Sequence, residues 1–113
     1  MIKIQIFLTR RSDLSHEEFS RYWLETHAPK ITGLPEAQEN LQRYVQQVAT
    51  ENPPKDLPIA SYDGIAELWF DTLDAGMETM NSDNYKAAIP VDEPNFIDQS
   101  KTKILITEER QIM

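Results

Sequence analysis

The chain has 113 residues, and 11 basic against 19 acidic side chains give it a formal net charge of −8, with no cysteine anywhere. That length fits one domain, residues 1–113, with enough buried surface to fold without staples. With 40% hydrophobic and 27% charged residues a disordered chain is excluded, and so, without cysteine, are disulfides, thiolate metal sites and cysteine nucleophiles. The acid excess opposes nucleic acid, since the longest basic stripe is Arg10–Arg11. No apolar run approaches the roughly 20 residues that cross a bilayer, and the alternating start is not that of a signal peptide. The expected location is the cytoplasm, with neither nucleic acid nor membrane as partner.

In chain order, Ile2, Ile4, Ile6 and Leu8 alternate with polar residues, which predicts a strand with one buried face. Ser15-His16-Glu17-Glu18 is a capping box, and Phe19, Tyr22, Trp23 and His27 follow at helical spacing, so a helix with an aromatic stripe is expected up to Pro29. Pro29 is expected to stop it by removing a donor and restricting Ala28. Gly33 to Pro35 reads as a bend, Leu41 to Ala49 as a second strand, and the proline-rich segment Glu51 to Pro58 as a loop. Ile65 to Phe70 is a third strand. Leu73, Met77 and Met80 recur at helical spacing after Thr72 or Asp74, as packing residues. A short helix capped by Ser82 or Asp83 carries Tyr85 and Ile89 up to Pro90. Asp92 to Asp98 is expected as a turn that buries Phe96 and Ile97, before a fourth strand at Lys103 to Thr107.

The order β-α-β-β-α-β is the ferredoxin-like plan, an α+β fold with a four-stranded antiparallel sheet and helices on one face. Phe7, Val45, Ile65 and Trp69 then fall on the other face, too much apolar area for water, and a homodimer through that face is expected.

Several chemistries drop out. His16 and His27 stand about 16 Å apart along one helix, so one ion cannot bridge them, and no metal site is expected. Gly33, Gly64 and Gly76 are dispersed, which removes dinucleotide and phosphate loops, and no nucleophile elbow exists. What remains is the run from Tyr22 to Pro29. A helix end favours imidazolium while neighbouring aromatics disfavour it, and such opposed terms suit His27 to acid–base work, against a plain capping role. Phe19 and Trp23 read as core before ligand platform. Tyr44, on the helix-facing side of the second strand, offers a hydroxyl to a ligand or to backbone. Glu67 is expected to pair with Arg43 or Lys3 across the sheet, and His16 to be solvated.

The run Ser15 to Phe19, then Tyr22-Trp23 and His27-Ala28-Pro29, resembles the EthD family, whose members carry a helix ending in W-x-x-x-H-A-P. Arg43-Tyr44-Val45, Ala66-Glu67-Leu68-Trp69-Phe70, Met80-Asn81-Ser82-Asp83, Phe96 and Thr107-Glu108-Glu109 are similar to its remaining blocks, so the resemblance spans nearly the whole chain. It implies a dimeric α+β barrel and cofactor-free chemistry, with no metal or nucleotide, in a pocket between sheet and helices. It also implies His27 as the acid–base group and Tyr44 as a second catalytic residue, with Phe19, Tyr22, Trp23, Leu68 and Phe96 lining the site. The implied ligand is a small aromatic, polyketide-like or lactone metabolite, undergoing oxidation, decarboxylation or isomerisation. The other expectation is a non-catalytic barrel that carries a small hydrophobic ligand. Muconolactone isomerase relatives place a cysteine where Leu68 stands here, so thiol-dependent chemistry is not implied for this chain.

Overall fold

Alternation in Ile2–Leu8 builds β1, which sends Ile4, Ile6 and Leu8 into the core and leaves Lys3, Gln5 and Phe7 on the opposite face. In the computed structural model, which describes residues 1–113, β1 leads into α1 (His16–Tyr22), a π-helical turn (Trp23–His27), α2 (Ala28–Thr32) and α3 (Pro35–Asn40). Then come β2 (Leu41–Val48), β3 (Gly64–Phe70), α4 (Leu73–Met80) and α5 (Asp83–Asp92). Two 3₁₀ turns, Glu93–Asn95 and Gln99–Lys101, precede β4 (Lys103–Glu108). The four strands form one antiparallel sheet in the order β2-β3-β1-β4, which is the expected ferredoxin-like α+β architecture. Pairing Ile4 with Leu68 and Tyr44 with Leu68 aligns one face of three strands beneath the helices. Phe19, Trp23, Ile31, Ile89 and Phe96 close over that face.

Three local expectations are corrected. Pro29 does not stop the helix. The ladder is already widened by one residue where it falls, with Ala28 N–H reaching the Trp23 carbonyl, so the ring enters the first turn of α2, where an N–H is not needed. His27 therefore lies inside a continuous helical run rather than at its end, so it does not cap a helix terminus. The bend at Gly33 to Pro35 opens a short helix, α3, because Pro35 again sits at a helical first turn. Pro90 does not end α5 either. Gln99 Nε2 bonds the Pro90 carbonyl at 2.9 Å, and the helix continues to Asp92.

The free sheet face is more polar than its apolar residues suggested. Trp69 lies between the Lys3 ammonium and the Arg43 guanidinium, 4.8 and 4.6 Å from its ring, and is only 4% exposed. Phe7 packs on Tyr62, with ring centroids 5.2 Å apart. Phe7, Val45 and Ile65 stay partly exposed on this face, joined there by Leu105 of the edge strand β4, whereas the half-exposed Ile104 and Ile106 pair with Ile6 and Ile4 and project on the helix-bearing side. At the centre of the face, Glu67 accepts from Lys3 Nζ at 2.9 Å, from Gln5 at 2.8 Å and from Gln47 at 2.8 Å, so the expected cross-sheet ion pair forms with Lys3.

Burial pushes the Glu67 carboxyl up, but its bonds from Gln47, Lys3 and Gln5 outweigh burial and hold it below the usual glutamate value. A depressed native value means that the ionised form favours folding. That contribution is complete above the ordinary value of 4.5 and is lost as pH falls through the lower native one. Urea midpoints measured from pH 6 down to about pH 2 are therefore expected to fall less steeply in Glu67→Gln than in the wild type. Parallel acid limbs would remove this account.

Candidate active site

The site begins with how α1 starts. Ser15 Oγ accepts from Glu18 N–H at 3.0 Å, and Glu18 Oε1 accepts from Ser15 N–H at 2.9 Å, which completes the capping box and fixes the register of the aromatic stripe. Phe19 and Trp23, four apart, share the inner face with ring centroids 5.4 Å apart, and both are buried. Phe96 arrives from beyond α5 and packs its ring on Phe19, Tyr22 and His27 at centroid distances of 6.0, 5.2 and 4.7 Å.

His27 is 4% exposed, and its Nδ1 lies 2.8 Å from Asp92 Oδ2. The other carboxylate oxygen of Asp92 accepts from the Tyr22 hydroxyl at 2.6 Å and from Asn95 Nδ2 at 3.1 Å. Burial by itself would raise the Asp92 carboxyl. The bonds from Tyr22, His27 and Asn95 outweigh it and hold the group below the usual aspartate value. Burial, together with the bond to Asp92, pushes the Tyr22 hydroxyl up. Asp92 only accepts as a carboxylate, so the proton between the two belongs on His27 Nδ1, and in the neutral form of the ring Nε2 is the lone-pair nitrogen. No bond within the chain engages Nε2, which is not fully sealed from its surroundings.

Five of the residues singled out from the sequence, Phe19, Tyr22, Trp23, His27 and Phe96, come together in this one cluster. Leu68 is buried in the core beneath it. Tyr44 stands apart: its hydroxyl accepts from Gln46 Nε2 at 3.1 Å, and the same amide nitrogen reaches the Trp23 carbonyl at 3.1 Å. Burial pushes the Tyr44 hydroxyl up. Its ring borders a concavity of about 380 Å³ shared with Thr32, Leu41 and Arg43. A second concavity, of about 290 Å³, runs along the outside of the His27 cluster and is walled by Tyr22, Thr26 and Asn95. Asp92 and Asn95 escaped the sequence reading because 65 positions separate Asp92 from His27 and no local spacing records such a pairing. No three histidine, aspartate or glutamate side chains gather as a metal-binding group, and no helix is long and apolar enough to cross a membrane.

A ferredoxin-like α+β domain with a histidine–carboxylate pair sealed behind an aromatic helix face is the class of protein that fold and site define. The EthD domain matches residues 11–100, and the chain belongs to the EthD family. Among solved structures it is similar to an EthD-family protein from Bacillus halodurans C-125, at 20% identity over 97% of this chain and 100% of that one, with a TM-score of 0.70. It is also similar to a dimeric ferredoxin-like protein of unknown function from Bacteroides fragilis NCTC 9343, at 15% identity over 96% and 95% of the two chains, with a TM-score of 0.65. A third likeness is to a candidate antibiotic biosynthesis monooxygenase from Nitrosomonas europaea, at 10% identity over 96% and 98%, with a TM-score of 0.60. Among curated proteins, none matches the chain.

Proposed function

We propose that this protein is a small single-domain enzyme that transfers protons at His27 on a small aromatic, polyketide-like or lactone metabolite, without a metal or nucleotide cofactor. The observation that carries the reading is the 2.8 Å contact between His27 Nδ1 and Asp92, enclosed by aromatic rings. In that arrangement Nε2 takes a proton from a carbon beside a carbonyl, the electron pair moves into the carbonyl to form an enolate, and the Asp92 carboxylate steadies the imidazolium. Returning the proton at a different carbon isomerises the substrate. A substrate that carries a carboxylic acid beta to the carbonyl gives its carboxyl proton to Nε2 instead, loses carbon dioxide to leave the enolate, and takes that proton back at the vacated carbon. An enolate that meets dioxygen forms a carbon–oxygen bond to it and takes the proton back from Nε2 on the outer oxygen as a hydroperoxide, a course that the likeness to a candidate monooxygenase supports. Phe19, Tyr22, Trp23 and Phe96 form the apolar wall behind His27 with Leu68 in the core beneath them, while Tyr44 borders a separate concavity and takes no step in this reading.

The test is a thermal-shift screen of polyphenols, anthrones and lactones on wild type and His27→Ala, followed by turnover of each hit with and without oxygen. Saturating ligand is expected to raise the midpoint by several degrees. His27→Ala is expected to lower turnover roughly a hundredfold or more. Unchanged turnover in His27→Ala would overturn the mechanism, and binding without turnover would make the protein a carrier of a hydrophobic ligand.

The protein works in this reading as a homodimer, joined through the open sheet face, where Phe7, Val45, Ile65 and Leu105 of β4 are partly or half exposed. Two similar ferredoxin-like proteins are described as dimeric. Sedimentation equilibrium at micromolar concentration is expected to give twice the 13.1 kDa chain mass, and a single-chain mass would refute it.

A further inference from the structure

The π-helical turn has a geometric consequence for the pair it contains. Tyr22 and His27 are five residues apart, and on an α-helix five steps of 100° would leave them about 140° apart around the axis. A turn that bonds i to i+5 brings residues five apart nearly in line. Here Ala28 N–H reaches the Trp23 carbonyl across that wider turn, and Tyr22 and His27 both close on one carboxylate, at 2.6 Å to Oδ1 and 2.8 Å to Oδ2 of Asp92. Asn95 Nδ2 adds a second donor to Oδ1 at 3.1 Å from the 3₁₀ turn that follows α5. Two donors on one oxygen hold the carboxylate against rotation, so its other oxygen faces the imidazole squarely. Phe96 packs on both rings and holds their planes.

We propose that the π-turn and the Tyr22 hydroxyl form a positioning device in which Tyr22, acting through Asp92, fixes His27 as the Nδ1–H tautomer and leaves Nε2 as its reactive nitrogen. The role of that nitrogen rests on the functional reading above, whereas the tautomer itself does not. Tyr22 and Asp92 are positioning residues, and the extra residue in the helix is what aligns Tyr22 with His27. An ordinary α-helical turn would turn one of the two away from the carboxylate.

The experiment is ¹⁵N NMR of the histidine ring nitrogens, followed through a pH titration, in wild type, Tyr22→Phe and Asp92→Asn. His16 is assigned by its own substitution. Tyr22→Phe keeps the ring and removes only the hydroxyl, and native circular dichroism will establish that it folds. Wild-type His27 is expected to carry its neutral-state proton on Nδ1. Tyr22→Phe is expected to give a mixture with the Nε2–H form, and Asp92→Asn to lose Nδ1–H as the dominant species, because an amide can turn its own N–H toward the ring. An unshifted tautomer in Tyr22→Phe overturns the role of Tyr22, and an unshifted tautomer in Asp92→Asn overturns the device as a whole. Neither readout needs a substrate. A fixed tautomer in a protein that turns over nothing would sink the proposed enzyme and leave this inference standing, whereas activity lost in His27→Ala with a freely mixed tautomer would do the reverse.

Discussion

Phe96→Ala is expected to cost about 3–5 kcal/mol of stability, the usual range for emptying a large aromatic from a packed core. Phe96 is 0% exposed and belongs to the main core cluster, and its ring meets Phe19, Tyr22 and His27 at once. Those three come from one helical run, which has no short route to close the gap because the π-turn fixes the spacing between Tyr22 and His27. The loss will therefore sit toward the upper end, as at any site that cannot collapse. Against a typical total of 5–15 kcal/mol it is a large fraction. Phe96→Leu keeps much of the volume and is expected to lose less than half as much. The check is urea unfolding of both variants at pH 7. A loss below about 1 kcal/mol in Phe96→Ala would mean that the cluster repacks and that Phe96 does not hold the site together.

How far the sequence revealed this arrangement depends on whether the signal was local. The alternation of β1 and the Ser15–Glu18 capping box are read within a few residues and both form, and of the helix starts left open, Thr72 or Asp74 and Ser82 or Asp83, the caps are Thr72 and Ser82. Phe96 and Ile97 are buried as their apolar character indicates. Pro29 and Pro90 misled, because a proline ends a helix only when the ladder has no room for it. At Pro29 a widened turn supplies that room, and at Pro90 the helix nevertheless runs on to Asp92. Trp69 misled in another way. As an apolar residue on an open sheet face it argued for a covering partner, yet Lys3 and Arg43 cover it within the chain. Asp92 had no local signal at all. Its role exists only because α5 outlasts Pro90 by two residues and delivers a carboxylate to a histidine on another helix. The candidate site was thus legible to the extent that its cluster lies on one helix, through Phe19, Tyr22, Trp23 and His27, and hidden where that cluster depends on a second.

Trp23→Ala and Gly64→Ala should each destabilise strongly, and their effects should not add. Trp23 is 1% exposed, and its ring lies against Gly64 of β3. A Cβ added at Gly64 would fall 2.6 Å from Cζ3 and 2.9 Å from Cη2 of that ring, and 3.1 Å from the Gln47 carbonyl. The indole has little room to retreat, because it is buried with Phe19 packed on it at 5.4 Å and the π-turn begins at its own backbone. Gly64→Ala thus overpacks a filled site, at about 1–3 kcal/mol, while Trp23→Ala empties it at about 3–5 kcal/mol. In the double variant the methyl group at position 64 points into the space the indole leaves. The Gly64→Ala penalty should then shrink to a few tenths of a kcal/mol or change sign, a coupling of at least about 1 kcal/mol between directly touching residues. Chemical denaturation of the four proteins of the cycle measures it. Strict additivity would show that glycine is needed at position 64 for its backbone rather than for the ring above it.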